Sequence, residues 1–401
     1  MKLEIKIDRV LLIFYLLALL AFPYYANSLY KWINMITTVI FFLFECRSLL
    51  KYRLIRNIIR KNQYISWLLI VAFLVMFASF WSEDLWASLN KAIVMWMTII
   101  GQFAVIIWVK NDDKRLQILI NIILVIAVIV FLRVVLITPF FAYGYQNIFS
   151  SITGYDKNAF SMMGAFLSIN ALYFFYKTNK KQYIFLWGIM LAMAIVGASR
   201  KGALIAIMAV PMMVYLKNKP FKKVFYVLLF VILAIVGIYF MMTNDKMYAL
   251  VGQRLYILYL SIIEKGSSDG SLVERTIMIK KAIELFESKS ILGWGTDGFA
   301  IQSQSFFGKY VYSHCNYTEL LCNFGIVGFI IYYYYPVIFI INSLKQVVKH
   351  NITFIYSFVV FVFYIVFEYG FVSYYEPFHY LMKTLAVLAI LCQGEKNSNE
   401  Y

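Results

Sequence analysis

Residues 116–137 read LQILINIILVIAVIVFLRVVLI, an apolar run broken only by Gln117, Asn121 and Arg133. As a helix this stretch is about 33 Å long at 1.5 Å per residue. That matches a bilayer hydrocarbon core of ~30 Å. An amphipathic helix of a soluble protein keeps a polar face for water, and this one has none. Comparable runs lie on both sides of it: near 10–26, 30–47, 65–82 and 92–109 before it, and near 158–176, 183–199, 202–216, 224–242, 319–343, 352–372 and 378–393 after it. The pattern predicts an all-α polytopic membrane protein, one membrane domain over residues 1–401 with about twelve transmembrane helices. The N-terminal MKLEIKIDR and its apolar continuation imitate a secretory signal. No clear small-x-small site follows, so the segment is expected to be the first membrane helix.

Composition agrees. The chain is 63% hydrophobic and 14% charged, with a mean hydropathy of +0.75. Soluble domains sit nearer 45–50% apolar and about 25% charged. A net charge of +17 would suggest nucleic acid in a soluble chain. Here the cations cluster in short links between apolar runs, as the positive-inside rule requires, and nucleic-acid binding is not expected. Segments 1–9, 47–63, 110–115, 177–182, 217–223, 344–351 and 394–401 share one side and hold 22 of the 37 basic residues. Arg53, Arg56, Arg60 and Lys61 make one dense group, and Lys217, Lys219, Lys222 and Lys223 another. Both termini are therefore expected in the cytoplasm.

The opposite side receives links near 27–29 and 83–91, a loop at 138–157, a sharp turn at 199–201 and a long loop at 243–318. Within the long loop, residues 271–288 form a helix-like run. Glu274 and Lys281 fall on its polar surface, and Ile277, Ala282, Ile283 and Leu285 are its apolar positions. Gly293, Gly295 and Gly298 then break it. An ordered external loop of this length points to function rather than spacing.

Ionisable residues at membrane depth are functional candidates by default: Arg133, Arg200, Glu319, Glu368 and Lys383. Arg133 and Lys383 lie near span ends, and Lys383 is expected to snorkel to the interface. Arg200 sits in Ser199-Arg200-Lys201-Gly202 between two short spans, where a guanidinium can grip phosphate bidentately or anchor a lipid headgroup. His314 closes the long loop, and a histidine there can act as general base or as a simple polar contact. Cys46, Cys315, Cys322 and Cys392 lack metal-ligand spacing, and packing is their expected role. No metal site and no cofactor are expected. Gly293-Trp294-Gly295 lacks the strand-before, helix-after context of a nucleotide loop.

Three motifs in order carry a family resemblance. They are the Ser199-Arg200-Lys201-Gly202 turn; Arg275 opening a helix that leads to Ile291-Leu292-Gly293-Trp294-Gly295; and Ser313-His314-Cys315-Asn316-Tyr317-Thr318-Glu319-Leu320-Leu321 followed by Phe324-Gly325-Ile326-Val327-Gly328. Asn158, in Asp156-Lys157-Asn158-Ala159-Phe160, matches a weaker feature. Together they resemble the O-antigen ligase and O-antigen polymerase superfamily of bacterial membrane glycosyltransferases. The resemblance implies transfer of a glycan from undecaprenyl pyrophosphate to an acceptor sugar hydroxyl on the outer face of the cytoplasmic membrane, with neither metal nor nucleotide sugar. Arg200 and Arg275 would hold the pyrophosphate and His314 would be the base. Asn158, Asn316, Tyr317, Glu319 and Glu368 would support them. Implied partners are the lipid-linked donor and acceptor and membrane lipids, with room for a chain-length regulator protein. The His-x-Asn-Tyr-x-Glu-Leu-Leu pattern and the wealth of Phe and Tyr resemble the O-antigen or capsule repeat-unit polymerases more than the ligases that act on lipid A–core. A flippase for the same lipid-linked units is a third reading. It sits poorly with distinctive residues gathered on one face.

Overall fold

A computed structural model describes residues 2–22, 28–51, 62–110, 112–139, 145–197, 199–218, 220–244, 248, 252, 256 and 270–398. Among them every regular element is helical: α1 (Lys2–Ala21), α2 (Ser28–Lys51), α3 (Gln63–Ala78), α4 (Leu85–Val109), α5 (Asp113–Ile137), α6 (Tyr145–Thr153), α7 (Lys157–Thr178), α8 (Gln182–Val196), α9 (Arg200–Lys217), α10 (Pro220–Thr243), α11 (Gly270–Ser288), α12 (Gly298–Phe307), α13 (Asn316–Val347), α14 (Ile352–Phe367) and α15 (Pro377–Ser398). The basic link 52–61 and the first part of the long loop fall outside the described residues.

Each of the expected apolar segments carries a helix among its described residues, although α14 stops at Phe367, short of the expected end at 372. Six helical stretches are long and apolar enough to cross a membrane: Ser28–Arg47, Gln63–Trp81, Leu85–Val109, Asp113–Ile137, Lys157–Thr178 and Asn316–Val347. α8 and α14, with 15 and 16 residues, reach only about 22–24 Å at 1.5 Å per residue. Asn and Asp start the helices. Asp84 accepts from the Ala87 N–H, Asp112 from Lys114, Asp156 from Asn158 and Ala159, and Asn351 from Thr353. Each satisfies donors that a helix N-terminus leaves open.

The helices share one large apolar core. α7 lies centrally, against α8, α9 and α14, while α13 packs on α3, α11 and α14, and α15 on α4 and α14. Small residues bring α7 and α9 together: a side chain at Gly202 would strike the Ser161 hydroxyl at 2.1 Å. This close approach is typical of membrane helix pairs. The outer surface stays apolar. α5 buries Ile120, Ile123 and Leu124 yet exposes Val125, Ile129, Leu132 and Leu136, as a lipid-facing helix does.

The long loop carries α11 as expected, and also α12. α11 docks through Met278, Ala282 and Leu285 against Phe299 and Cys322, making a second small core. Ile277 and Ile283, expected among its apolar positions, are exposed. The 19-residue helix presents a single narrow buried stripe, and these two fall outside it.

Two of the sequence motifs meet backbone to backbone. α13 breaks at Gly325, which takes φ 64° and ψ −166°. The turn after α11 fills the break. Trp294 and Gly295 donate to the Cys322 and Asn323 carbonyls at 2.9 and 2.8 Å, and Ile326 and Val327 donate to Ser290 and Ile291 at 2.9 and 3.4 Å. A methyl group at Gly325 would lie 2.2 Å from the Ile291 oxygen, so only glycine fits. Thr296 then ties the turn to α3 through the Val75 and Ala78 carbonyls. The loop is fastened over one end of the bundle.

Candidate functional site

His314 lies at the end of that loop, one residue before the Cys315 N-cap of α13. It is half-buried and takes φ 63°, a left-handed conformation that histidine visits more readily than most residues. Its neighbours hold it there. Glu319, fully buried, accepts the Ser313 N–H at 2.7 Å, and the Ser313 hydroxyl donates to the Cys315 carbonyl at 3.0 Å. The Asn316 N–H donates to the Glu368 carbonyl at 2.8 Å. The other Glu319 oxygen, Oε1, has no hydrogen-bond partner among the described residues. Glu319 thus acts on the backbone beside the histidine.

Two helices converge electrostatically on His314. Burial lowers its pKa to about 4, helped by the positive charges of Arg275 on α11 and Lys201 on α9 and opposed by Glu274. The ring is therefore neutral at ordinary pH. Arg275 is half-buried, and its neighbour Glu274 is tethered by Lys309 at 2.9 Å. That ion pair pulls the Glu274 carboxyl below the usual carboxylate range. Lys201 lies over Gly370, where an added methyl would meet its Cε at 2.5 Å. The Arg200 backbone begins α9, while its side chain lies outside the described residues. Among the described residues, Lys201 is the second cation that acts on His314, a residue that the sequence marks only as part of the turn.

The His314 ring packs on Tyr312 with centroids 4.3 Å apart. Tyr312 lines a cavity of about 480 Å³ together with the polar Lys91, Asp156, Asn158, Tyr375 and Glu376 and the apolar Phe160, Met163 and Phe378. Asn158 thus lines the cavity that Tyr312 shares. Burial pushes the Glu376 carboxyl up to about 7, with Lys91 lowering it and Asp156 adding to the rise. Behind Tyr312, Lys91 pairs with Asp297 at 3.3 Å and covers the Tyr375 ring at 3.8 Å. Tyr310 donates a short hydrogen bond to Asp297. None of Lys91, Asp156, Asp297, Tyr312 and Glu376 stands out in the sequence, because they come from four separated segments, with Asp297 and Tyr312 in the long loop and the others each at a different span end.

The remaining expected residues form a buried clasp rather than an open site. Glu368 Oε2 accepts from Tyr333 at 2.7 Å and Asn316 at 3.2 Å. Its Oε1 accepts from Tyr332 at 3.3 Å and pairs with Lys383 at 3.2 Å. Asn316 Oδ1 accepts the Ser373 and Tyr374 N–H groups. Tyr317 donates a short hydrogen bond to the Ile365 carbonyl and stacks on Tyr333. Lys383, expected to snorkel, does not. It is 1% exposed, because the Glu368 carboxylate offers it a partner inside the bundle. Arg133 is exposed on α5.

No curated protein matches the chain. Residues 185–333, from α8 through the first half of α13, match the family model described as O-antigen ligase, and this match, which takes in Lys201, Arg275 and His314, bears out the resemblance to the O-antigen ligase and polymerase superfamily.

Proposed function

We propose that the protein is a glycosyltransferase that joins undecaprenyl-pyrophosphate-linked oligosaccharide units into O-antigen or capsular polysaccharide. The site end of the bundle would face away from the cytoplasm, and both termini would lie inside. One observation carries this reading: a neutral, half-buried histidine under the positive charges of Arg275 and Lys201, its ring packed on a tyrosine that lines a cavity. A neutral imidazole can accept a proton, and fixed cations favour the charge that grows on a departing pyrophosphate. The acceptor hydroxyl oxygen would attack the anomeric carbon as the bond to the pyrophosphate oxygen breaks. His314 would take the hydroxyl proton, and undecaprenyl pyrophosphate would leave with the bonding electrons. Arg275 and Lys201 would hold the pyrophosphate, joined by Arg200 from the same turn. Glu319, Asn316 and Glu368 would set the position of the His314 segment. Direct displacement inverts the anomeric centre, and this reading calls for neither a metal nor a nucleotide sugar.

His314→Ala and Arg275→Ala are expected to lower chain extension at least about 100-fold each, while both proteins insert and purify like the parent. Gel analysis of glycan length in cells carrying each variant reads the outcome. Long chains persisting in His314→Ala would end the general-base assignment. The family description favours a second reading, transfer of finished glycan to lipid A–core. In that case lipid A–core would be an obligatory acceptor.

A further inference from the structure

The charges near His314 fall into two groups. Arg275 and Lys201, with the Lys309-tethered Glu274, act on its ring. Asp156 and Glu376 line the cavity whose wall includes Tyr312, the ring that packs on the histidine. Tyr312 feels both groups, since burial and then Asp156 and Glu376 raise its pKa while Arg275 lowers it. Lys91, the one cation in the cavity wall among the described residues, is engaged with Asp297 and Tyr375. Asp156 spends Oδ1 on the cap of α7. Asp156 repels a pyrophosphate, since like charges a few ångströms apart repel strongly where solvent is excluded, and Glu376, raised to about 7, adds to that repulsion when it is ionised.

From this sorting we infer that the cavity is a sugar subsite separate from the pyrophosphate cradle. It would bind the acceptor end of the glycan, and its two carboxylates would select neutral or amino sugars over uronic acids. The inference rests on the transfer reading above. The size fits, because about 480 Å³ lies within the ~300–1,000 Å³ of ordinary ligand pockets. The chemistry fits as well. Sugar hydroxyl and ammonium groups donate hydrogen bonds, and carboxylates are the stronger acceptors for them. Apolar sugar faces can lie on Tyr312 and on the Phe160, Met163 and Phe378 wall. A sugar so placed has its hydroxyl one aromatic ring away from His314.

The test uses full-length protein in lipid nanodiscs with methyl glucosaminide, methyl glucoside and methyl glucuronide as probes, read by saturation-transfer NMR and competition. Undecaprenyl pyrophosphate binding is measured in parallel. The paired variant Asp156→Asn, Glu376→Gln removes the charge yet keeps a competent helix cap and side-chain shape. The parent is expected to bind glucosaminide most tightly and glucuronide least, by about tenfold or more. The paired variant should erase that order and leave undecaprenyl pyrophosphate binding within about twofold. If the paired variant fails to fold, each single variant should show a smaller loss of the same order. An unchanged order in the variants, a preference for glucuronide in the parent, or an equal loss of pyrophosphate binding would each overturn the subsite. Ordered glycoside binding without any glycosyl transfer would keep the subsite and remove the transfer reading instead.

Discussion

His314 combines two costs that the fold must offset: a left-handed backbone and a buried ring held near two cations. Backbone strain of this kind is worth about 1–3 kcal/mol and persists only where neighbours over-determine it. Here the Glu319 bond to Ser313 and the Asn316 bond to Glu368 do so from either side. The low pKa has a kinetic consequence. In its proposed role as base, His314 works only when deprotonated, so kcat/KM should fall as pH drops through the free-protein value of about 4, not near 6.5. Once a pyrophosphate occupies the cradle, its negative charge offsets Arg275 and Lys201. The acid limb of kcat should then lie at higher pH than that of kcat/KM. Initial rates of lipid-linked unit consumption from about pH 3 to pH 8 measure both limbs; coincident limbs near 6.5 would remove the influence of the two cations. The sequence singles out His314 and Arg275 because both are polar residues in recognisable motifs. It does not reveal that Lys201 faces the histidine, because that depends on how α9 lies against Gly370.

At the scale of elements, the motifs divide their labour. Ile291-Leu292-Gly293-Trp294-Gly295 and Phe324-Gly325-Ile326-Val327-Gly328 exchange main-chain hydrogen bonds across a broken helix, so they build the roof that carries His314. Gly325→Ala should therefore destabilise the loop by about 1–3 kcal/mol for the backbone alone, with more from the clash at Ile291. Limited proteolysis should cut the 289–297 turn faster in this variant while the membrane helices stay intact. Parental resistance would mean that the break tolerates a side chain. Hydropathy finds the helices readily, since runs such as 116–137 leave little alternative. α6 and α12 escape it because they are nine and ten residues long and of mixed polarity. The helix break at Gly325 escapes it because α13 is apolar on both sides of the break.

At the scale of the molecule, the clasp around Glu368 joins α13, α14 and α15 beneath the His314 segment. A buried ion pair is weak evidence of stability, but removing one partner leaves an uncompensated charge that costs about 3–5 kcal/mol. Lys383→Met should thus lower thermal stability markedly, and Glu368→Gln combined with Lys383→Met should recover part of the loss in a melting curve. Equal melting temperatures for the two proteins would show that the pair is not coupled. The sequence marks Glu368 and Lys383 only as isolated charges near span ends, and nothing in their spacing of fifteen residues declares them partners. The cavity is equally hidden, since its lining comes from α1, the start of α4, the start of α7, Tyr312 and the start of α15. The central claim joins all three scales: this bundle end extends a lipid-linked glycan by transfer to another lipid-linked unit. The most direct measurement supplies purified protein in nanodiscs with undecaprenyl-pyrophosphate-linked repeat units alone and follows glycan length by mass spectrometry. A ladder of longer lipid-linked glycans, absent with His314→Ala, is the result expected. No extension by folded protein without lipid A–core, with transfer restored when lipid A–core is added, would contradict it.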